Sequence, residues 1–373
     1  MSARRPVEGQ HRCLRLAYGD TSAVMTARPE ELSRSDPAEP GISRRRCGRG
    51  FRYLWPSSAP VKDPATLARI RSLVIPPAWK DVWICRDPAG HIQATGTDDA
   101  GRRQYLYHQQ WRREQDRRKF DRMIEFGRAL PRIRETVLAE MDRRGLHRER
   151  VMAAALRLID LGFFRAGGEE YAAEHETFGL ATIRREHVTC GRAQLTFEYP
   201  AKRGIQREQA VVDERLCVVI QSLKRRRWGG DELLAWRNGS GPPHDVTAAD
   251  INDYLREVSG ADFTAKDFRT WNATVLAAVG LAVSGHAESD SARKRAVARA
   301  VAEVAGYLGN TPAVARGSYI DPRVIDRYEH GRTIARVLGD LGASSEFGEL
   351  ATQGRAEAAV LRILEQPESG AVS

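Results

Sequence analysis

Apolar positions change period along the chain, and each change marks a different element. Residues 1 to about 48 show no period, mix Pro, Ser, Gly and both charges, and end in Arg44-Arg45-Arg46, the texture of an irregular leader. Met25 offers an alternative start within it. After Asp63-Pro64, the segment ATLARIRSL spaces its apolar residues for a helix, with Asp63 as N-cap and Pro64 at the first helical position. Pro76-Pro77 end that pattern. VWIC (82–85), HIQAT (91–95) and RQYLYH (103–108) then read as three antiparallel strands, separated by AspProAlaGly and AspAspAlaGly turns.

From Trp111 to about Arg144 the period is helical, with Phe120, Met123, Ile124 and Phe126 apolar and an interruption expected near Pro131. Val151 to Phe164 is a second amphipathic helix, and Glu169 to Glu174 extends the helical region. Strands are expected within 187–213, as HVTC, AQLTFEY and REQAVVD. Helices follow at 213–226, 246–258, 264–284, 288–308 and 322–338, then an amphipathic helical tail. The expected organisation is α+β. It comprises a leader at 1–49, a small β-rich domain at 50–128, a mainly helical domain with a small sheet at 129–338, and a tail at 339–373 with a disordered end.

Composition fits two ordinary globular domains: 373 residues, 42% hydrophobic and 29% charged. The longest apolar run, Val275 to Val283, falls far short of the ~20 residues that span a bilayer. No apolar signal segment opens the chain, and five cysteines lie without metal or disulfide spacing, which points to a reducing cytoplasm. Charge changes the picture more. With 59 Lys and Arg against 49 Asp and Glu, the net charge of +10 makes a polyanion the first partner to consider. Lysine occurs only at 62, 80, 119, 202, 224, 266 and 294, so a site needing a titratable cation has few choices.

No GxxxxGK[ST] loop, HExxH, paired CxxC or GxSxG occurs, which argues against nucleotide-driven, zinc and serine-hydrolase chemistry. What remains is arginines and tyrosines on a basic chain, the groups that phosphodiester transfer needs. A tyrosine hydroxyl can attack phosphorus, arginines can neutralise the non-bridging oxygens, and a lysine can protonate the leaving oxygen. In DDAGRRQYLYH (98–108), Arg102, Arg103, Gln104, Tyr105 and Tyr107 bring cations, an amide and aromatic rings to one strand, a composition suited to a DNA groove. The same residues also suit an ordinary sheet with packed tyrosines and solvated arginines.

That segment resembles the DNA-contacting strand of the poxvirus and bacterial type IB DNA topoisomerases, as IPPAWKDVWIC (75–85) and HIQATG (91–96) resemble the bacterial branch. The likeness runs on in order over roughly residues 32 to 330. FFRAGGEEY (163–171) with TFGLATIR (177–184) is similar to the segment of the first catalytic arginine, which falls on Arg165, and Tyr171 falls on a DNA-contacting tyrosine. KDFRTW (266–271) resembles the segment of the second arginine, which falls on Arg269. YLGNTPAVARGSY (307–319) resembles the nucleophile segment, with Tyr319 as nucleophile and Asn310 where poxvirus members carry histidine. FEYPAK (197–202) takes the place of the family's FxFxGK and puts the general-acid lysine on Lys202; Pro200-Ala201 departs from that pattern.

The resemblance implies a clamp around double-stranded DNA and supercoil relaxation through a 3′-phosphotyrosyl intermediate, with no cofactor and no metal. It implies a monomer, cytoplasmic and nucleoid-associated, without membrane contact. Read singly, each residue has a plainer alternative: Arg165 as a helix C-terminal cation, Arg269 in an ion pair with Asp267 or Asp262, Tyr319 as a packed tyrosine, Lys202 as a hairpin surface charge. The alternative functions are a tyrosine recombinase or a non-catalytic DNA-binding clamp.

Overall fold

The computed structural model describes residues 31–167, 178–201, 204–338 and 352–366. The chain divides into two compact units, Met1–Asp116 and Arg117–Ser373, and the division lies within one long helix. The sequence reading put this boundary at 128/129.

The first unit is built on a five-stranded antiparallel sheet in the order β2-β1-β3-β4-β5. Its strands are β1 (Ile42–Cys47), β2 (Gly50–Leu54), β3 (Lys80–Ile84), β4 (Ile92–Thr97) and β5 (Arg103–Tyr107). The three expected strands are present as β3, β4 and β5. The leader reading is corrected at its end, because Arg44 to Arg46 belong to β1, which pairs with β2 (Arg45 opposite Arg52) and with β3 (Ile42 opposite Ile84). Arg44 is a brace rather than a loose charge. Its guanidinium donates to the carbonyls of Pro76 (3.0 Å) and Trp79 (2.6 Å) and stacks on Phe51. Helix α1 (Pro64–Ser72) starts as expected, with the Asp63 carboxylate accepting from the Thr66 amide at 2.7 Å. Ile70 of α1 joins Ile42, Val82, Ile84 and Ala94 in the core of this unit.

Helix α2 (Gln109–Met141) is continuous through Pro131, which corrects the expected interruption. A proline in a helix interior costs about 3 kcal/mol. Here the cost is offset by a stripe of buried side chains on both sides of it: Phe120, Met123, Phe126, Leu130, Ile133, Val137 and Met141. Helix α3 (Arg148–Gly162) is buried almost throughout. A three-stranded antiparallel sheet follows, β6 (Val188–Cys190), β7 (Gln194–Ala201) and β8 (Ile205–Val212), with β7 central. Pro200 is accommodated because β6 pairs with β7 only as far as Phe197, so the missing N–H deprives no neighbour on that side. After α4 (Glu214–Arg225) comes a small two-stranded sheet, β9 (Ala235–Trp236) and β10 (His244–Asp245), and then helices α5 (Ala248–Ser259), α6 (Ala265–Val283) and α7 (Asp290–Leu308). The expected 322–338 helix is two pieces, α9 (Pro322–Glu329) and α10 (Ala335–Leu338), preceded by α8 (Pro312–Ser318). Gly331, at φ +75°, lies in the break. The α+β expectation holds for both units.

The final helix, α11 (Arg355–Glu365), packs into the second unit's core through Ala356, Val360 and Leu364. Glu357 is buried with it, accepting from Arg134 at 2.6 Å and from the Trp271 indole at 2.9 Å. Arg134 also grips Asp160, which neighbours Arg157 and, through it, Asp213. The expected tail is therefore, over α11, part of the core of the second unit. Glu357→Ala strips hydrogen bonds from a buried guanidinium and indole, and is expected to destabilise the protein by about 3 kcal/mol, read as a lowered urea midpoint at unchanged m-value.

Candidate active site

Four of the residues singled out in the sequence meet at the C-terminal end of α7. The helix stops because Gly309 takes φ +60°, a left-handed cap in which the Gly309 and Asn310 amides turn back onto the last helical turn; Asn310 N–H reaches the Ala305 carbonyl at 2.9 Å. This leaves carbonyls at the negative end of the helix dipole without helical partners. Arginines take them. Arg269 donates to Leu308 O at 2.9 Å, and Arg165 donates to Gly309 O at 3.2 Å and to Asn310 Oδ1 at 2.8 Å.

Arg269 projects from the second turn of α6 and is only 4% exposed. Its other anchor is the carbonyl of Phe163, which caps α3 with a left-handed φ of +54°. A non-glycine residue in that region costs of order 1 kcal/mol. The plainer ion-pair reading of Arg269 is overturned, since Asp267 pairs with Arg122 and Asp262 with Arg256. Burial, and then the charge of Arg165, lower the proton affinity of the Arg269 guanidinium from its ordinary value, with Tyr319 acting in the opposite sense. Arginine remains cationic under such pressure.

Tyr319 follows α8, whose start is fixed by Thr311 as N-cap and Pro312 at the first position. Its amide bonds to Ala315 O at 3.0 Å, and Thr274 Oγ1 on α6 lies 3.3 Å from its carbonyl and accepts the Asp321 amide at 3.1 Å. The Arg269 guanidinium stands 5.5 Å from the centre of the half-buried Tyr319 ring. Asn310 Nδ2 is buried and, among the described residues, has no hydrogen-bond partner. Arg165, Arg269 and Asn310 line a cavity of about 1070 Å³, with Tyr199, Ala201, Ile205, Arg207 and Tyr307 among its walls. The arrangement presents fixed cationic donors and an unused amide N–H beside a tyrosine, the equipment for stabilising charge on a phosphoryl group.

Tyr171 and Lys202 lie outside the described residues; Ala201 and Ile205, on either side of Lys202 in sequence, are opposite one another in the β7–β8 ladder. Arg207 was missed. The signal was its phase, because Arg207, Gln209 and Val211 share the inward face of β8 while their neighbours are exposed.

In the first unit, β5 is an edge strand whose exposed face carries Arg103, Tyr105 and Tyr107, the two rings stacked at 6.1 Å. Gln104 turns to the other face and donates to Asp98 at 2.9 Å, and Asp98 also pairs with Arg102 at 2.9 Å. Arg103 donates to Thr95 Oγ1 at 2.6 Å. The strand thus divides the five residues, with Arg103 and both tyrosines displayed together and Arg102 and Gln104 tied to Asp98. Among the described residues, no group of His, Cys, Asp and Glu side chains is arranged to hold a metal ion, and no helix is long and apolar enough to cross a membrane.

The family is shown by comparison with known proteins. The sequence model of the eukaryotic DNA topoisomerase I catalytic core matches residues 108–334, and that of the bacterial DNA topoisomerase IB N-terminal domain matches residues 50–98. The chain belongs to the type IB DNA topoisomerase family, enzymes that act on DNA. The DNA topoisomerase 1B of Acanthamoeba polyphaga mimivirus is 28% identical over 78% of this chain and 88% of the viral protein. DNA topoisomerase 1 of Daucus carota is 31% identical over 34% of this chain, which is 15% of the plant protein. That of Candida albicans is 33% identical over 34% of this chain and 15% of the yeast protein.

Proposed function

We propose that the chain relaxes supercoiled duplex DNA by cutting and resealing one strand through a 3′-phosphotyrosyl intermediate at Tyr319, without ATP or a metal ion. The observation that carries this reading is the gathering of Arg165, Arg269 and Asn310 at one helix terminus, with Arg269 against the Tyr319 ring. Tyr319 Oη attacks the phosphorus and gives up its proton to solvent, the bond to the 5′ oxygen breaks, and that oxygen leaves with a proton taken from a general acid. Arg165 and Arg269 hold the non-bridging oxygens as charge grows on them. Preorganised donors of this kind contribute several kcal/mol to the transition state. Asn310 Nδ2 offers a further donor, and Lys202 supplies the leaving group's proton.

While the strand is open, torsion turns the free 5′-hydroxyl end about the intact strand, and reversal of the attack reseals the break. The phosphotyrosyl ester conserves the bond, so no nucleotide is consumed. Arg102, Arg103, Gln104, Tyr105 and Tyr107 of the first unit, and Tyr171, contact the duplex. The protein acts as a monomer in the cytoplasm, on the nucleoid.

Incubation of negatively supercoiled plasmid with the protein in EDTA and without ATP is expected to yield a ladder of relaxed topoisomers. Plasmid that stays supercoiled while bound, or that relaxes only when ATP or magnesium is added, overturns the reading.

A further inference from the structure

The α7 terminus holds a third arginine that the mechanism above does not use. Arg207 on β8 donates through Nη2 to the carbonyl of Tyr307 at 2.5 Å and through Nε to Gln209 Oε1 at 3.2 Å. Three consecutive carbonyls, those of Tyr307, Leu308 and Gly309, thus each receive a different arginine: Arg207, Arg269 and Arg165. Gly309 fits this crowd because a Cβ there would lie 2.6 Å from Arg207 Nη1.

The three cations are poorly compensated. The end of a helix offers about half an elementary negative charge. Glu208 and Glu303 also line the cavity, yet among the described residues no carboxylate forms an ion pair with Arg207. Burial, and to a lesser degree Arg165, push its proton affinity down, with Tyr199 opposing. A desolvated guanidinium held, among the described residues, by a carbonyl and an amide, and facing a cavity, is equipped to take an anion.

We propose that Arg207 binds the DNA backbone phosphate adjacent to the scissile one. This rests on the cleavage reading above. A phosphodiester presents two non-bridging oxygens, and Arg165, Arg269 and Asn310 already supply donors for both. The remaining guanidinium, one carbonyl further back along α7, takes the next phosphate and fixes the register of the strand over Tyr319.

The test uses the full chain and a duplex with one mapped cleavage site, in which single phosphates are replaced by uncharged methylphosphonates. Arg207→Gln is expected to weaken equilibrium binding and slow single-turnover covalent attachment by ~10-fold or more on all-phosphate DNA, the scale of a lost hydrogen bond to a charged group. On the duplex that is neutral at one flanking phosphate the loss should shrink to under ~2-fold, and Arg207→Lys should recover part of it on ordinary DNA. A brace between β8 and α7 would instead give the same loss on every duplex together with a lowered thermal midpoint, and that result overturns the proposal. A loss that vanishes only at the scissile phosphate overturns it too. If wild-type protein forms no covalent complex, the cleavage reading fails, and the binding arm still decides what Arg207 contacts.

Discussion

Tyr319→Phe is expected to abolish covalent attachment to DNA and plasmid relaxation while leaving noncovalent affinity within a few-fold of wild type. The substitution removes one oxygen and keeps the ring, so the packing of Arg269 against it at 5.5 Å survives. The backbone at residue 319 is held through its own amide and carbonyl, by Ala315 and Thr274, groups that the substitution leaves in place. Without that hydroxyl no phosphotyrosyl ester can form, whatever the cations contribute. Denaturing electrophoresis of protein mixed with end-labelled duplex measures the adduct directly, and a Phe variant that still traps label identifies another nucleophile.

Arg269→Ala ranks second. The substitution deletes a buried cation that bridges the carbonyls of Phe163 and Leu308, so it removes the donor that the proposed mechanism assigns to the transition state and also leaves two acceptors unpaired. Single-turnover cleavage should fall by at least ~100-fold at saturating protein. Substrate chemistry separates the two effects. A methylphosphonate at the scissile position carries one charge less and asks less of a cation, so on that duplex the deficit should shrink markedly. A deficit of equal size on charged and neutral phosphate would mean that Arg269 matters only as a strut.

Strands β3 to β5 were legible because their apolar residues alternate between turn signals of Asp, Pro and Gly. The β1–β2 hairpin was not, since ISRRRC offers one apolar residue before three arginines, and one of these, Arg44, braces the strand by reaching carbonyls far away in sequence. Pro131 misled for a related reason: a local rule about proline lost to a buried stripe that only tertiary packing reveals. In the site, Arg165 taken alone reads as a helix C-terminal cation and Arg269 taken alone as half of an ion pair. The order of four segments distinguished these readings, and the structure supplies what neither could, that one helix terminus collects the cations. Arg207 escaped because a strand of REQAVVD looks polar until its inward phase is known.

Helix α11 bears on synthesis. A ribosome releases Arg165, Arg269, Asn310 and Tyr319 before it makes Glu357, yet Glu357 is the buried partner of Arg134 and of Trp271, two residues along α6 from Arg269. A nascent chain therefore carries all four of these residues before it has the segment whose Glu357 packs against α2 and α6. Translation order makes α11, rather than the segment that bears Tyr319, the last of these pieces to join the core of the second unit.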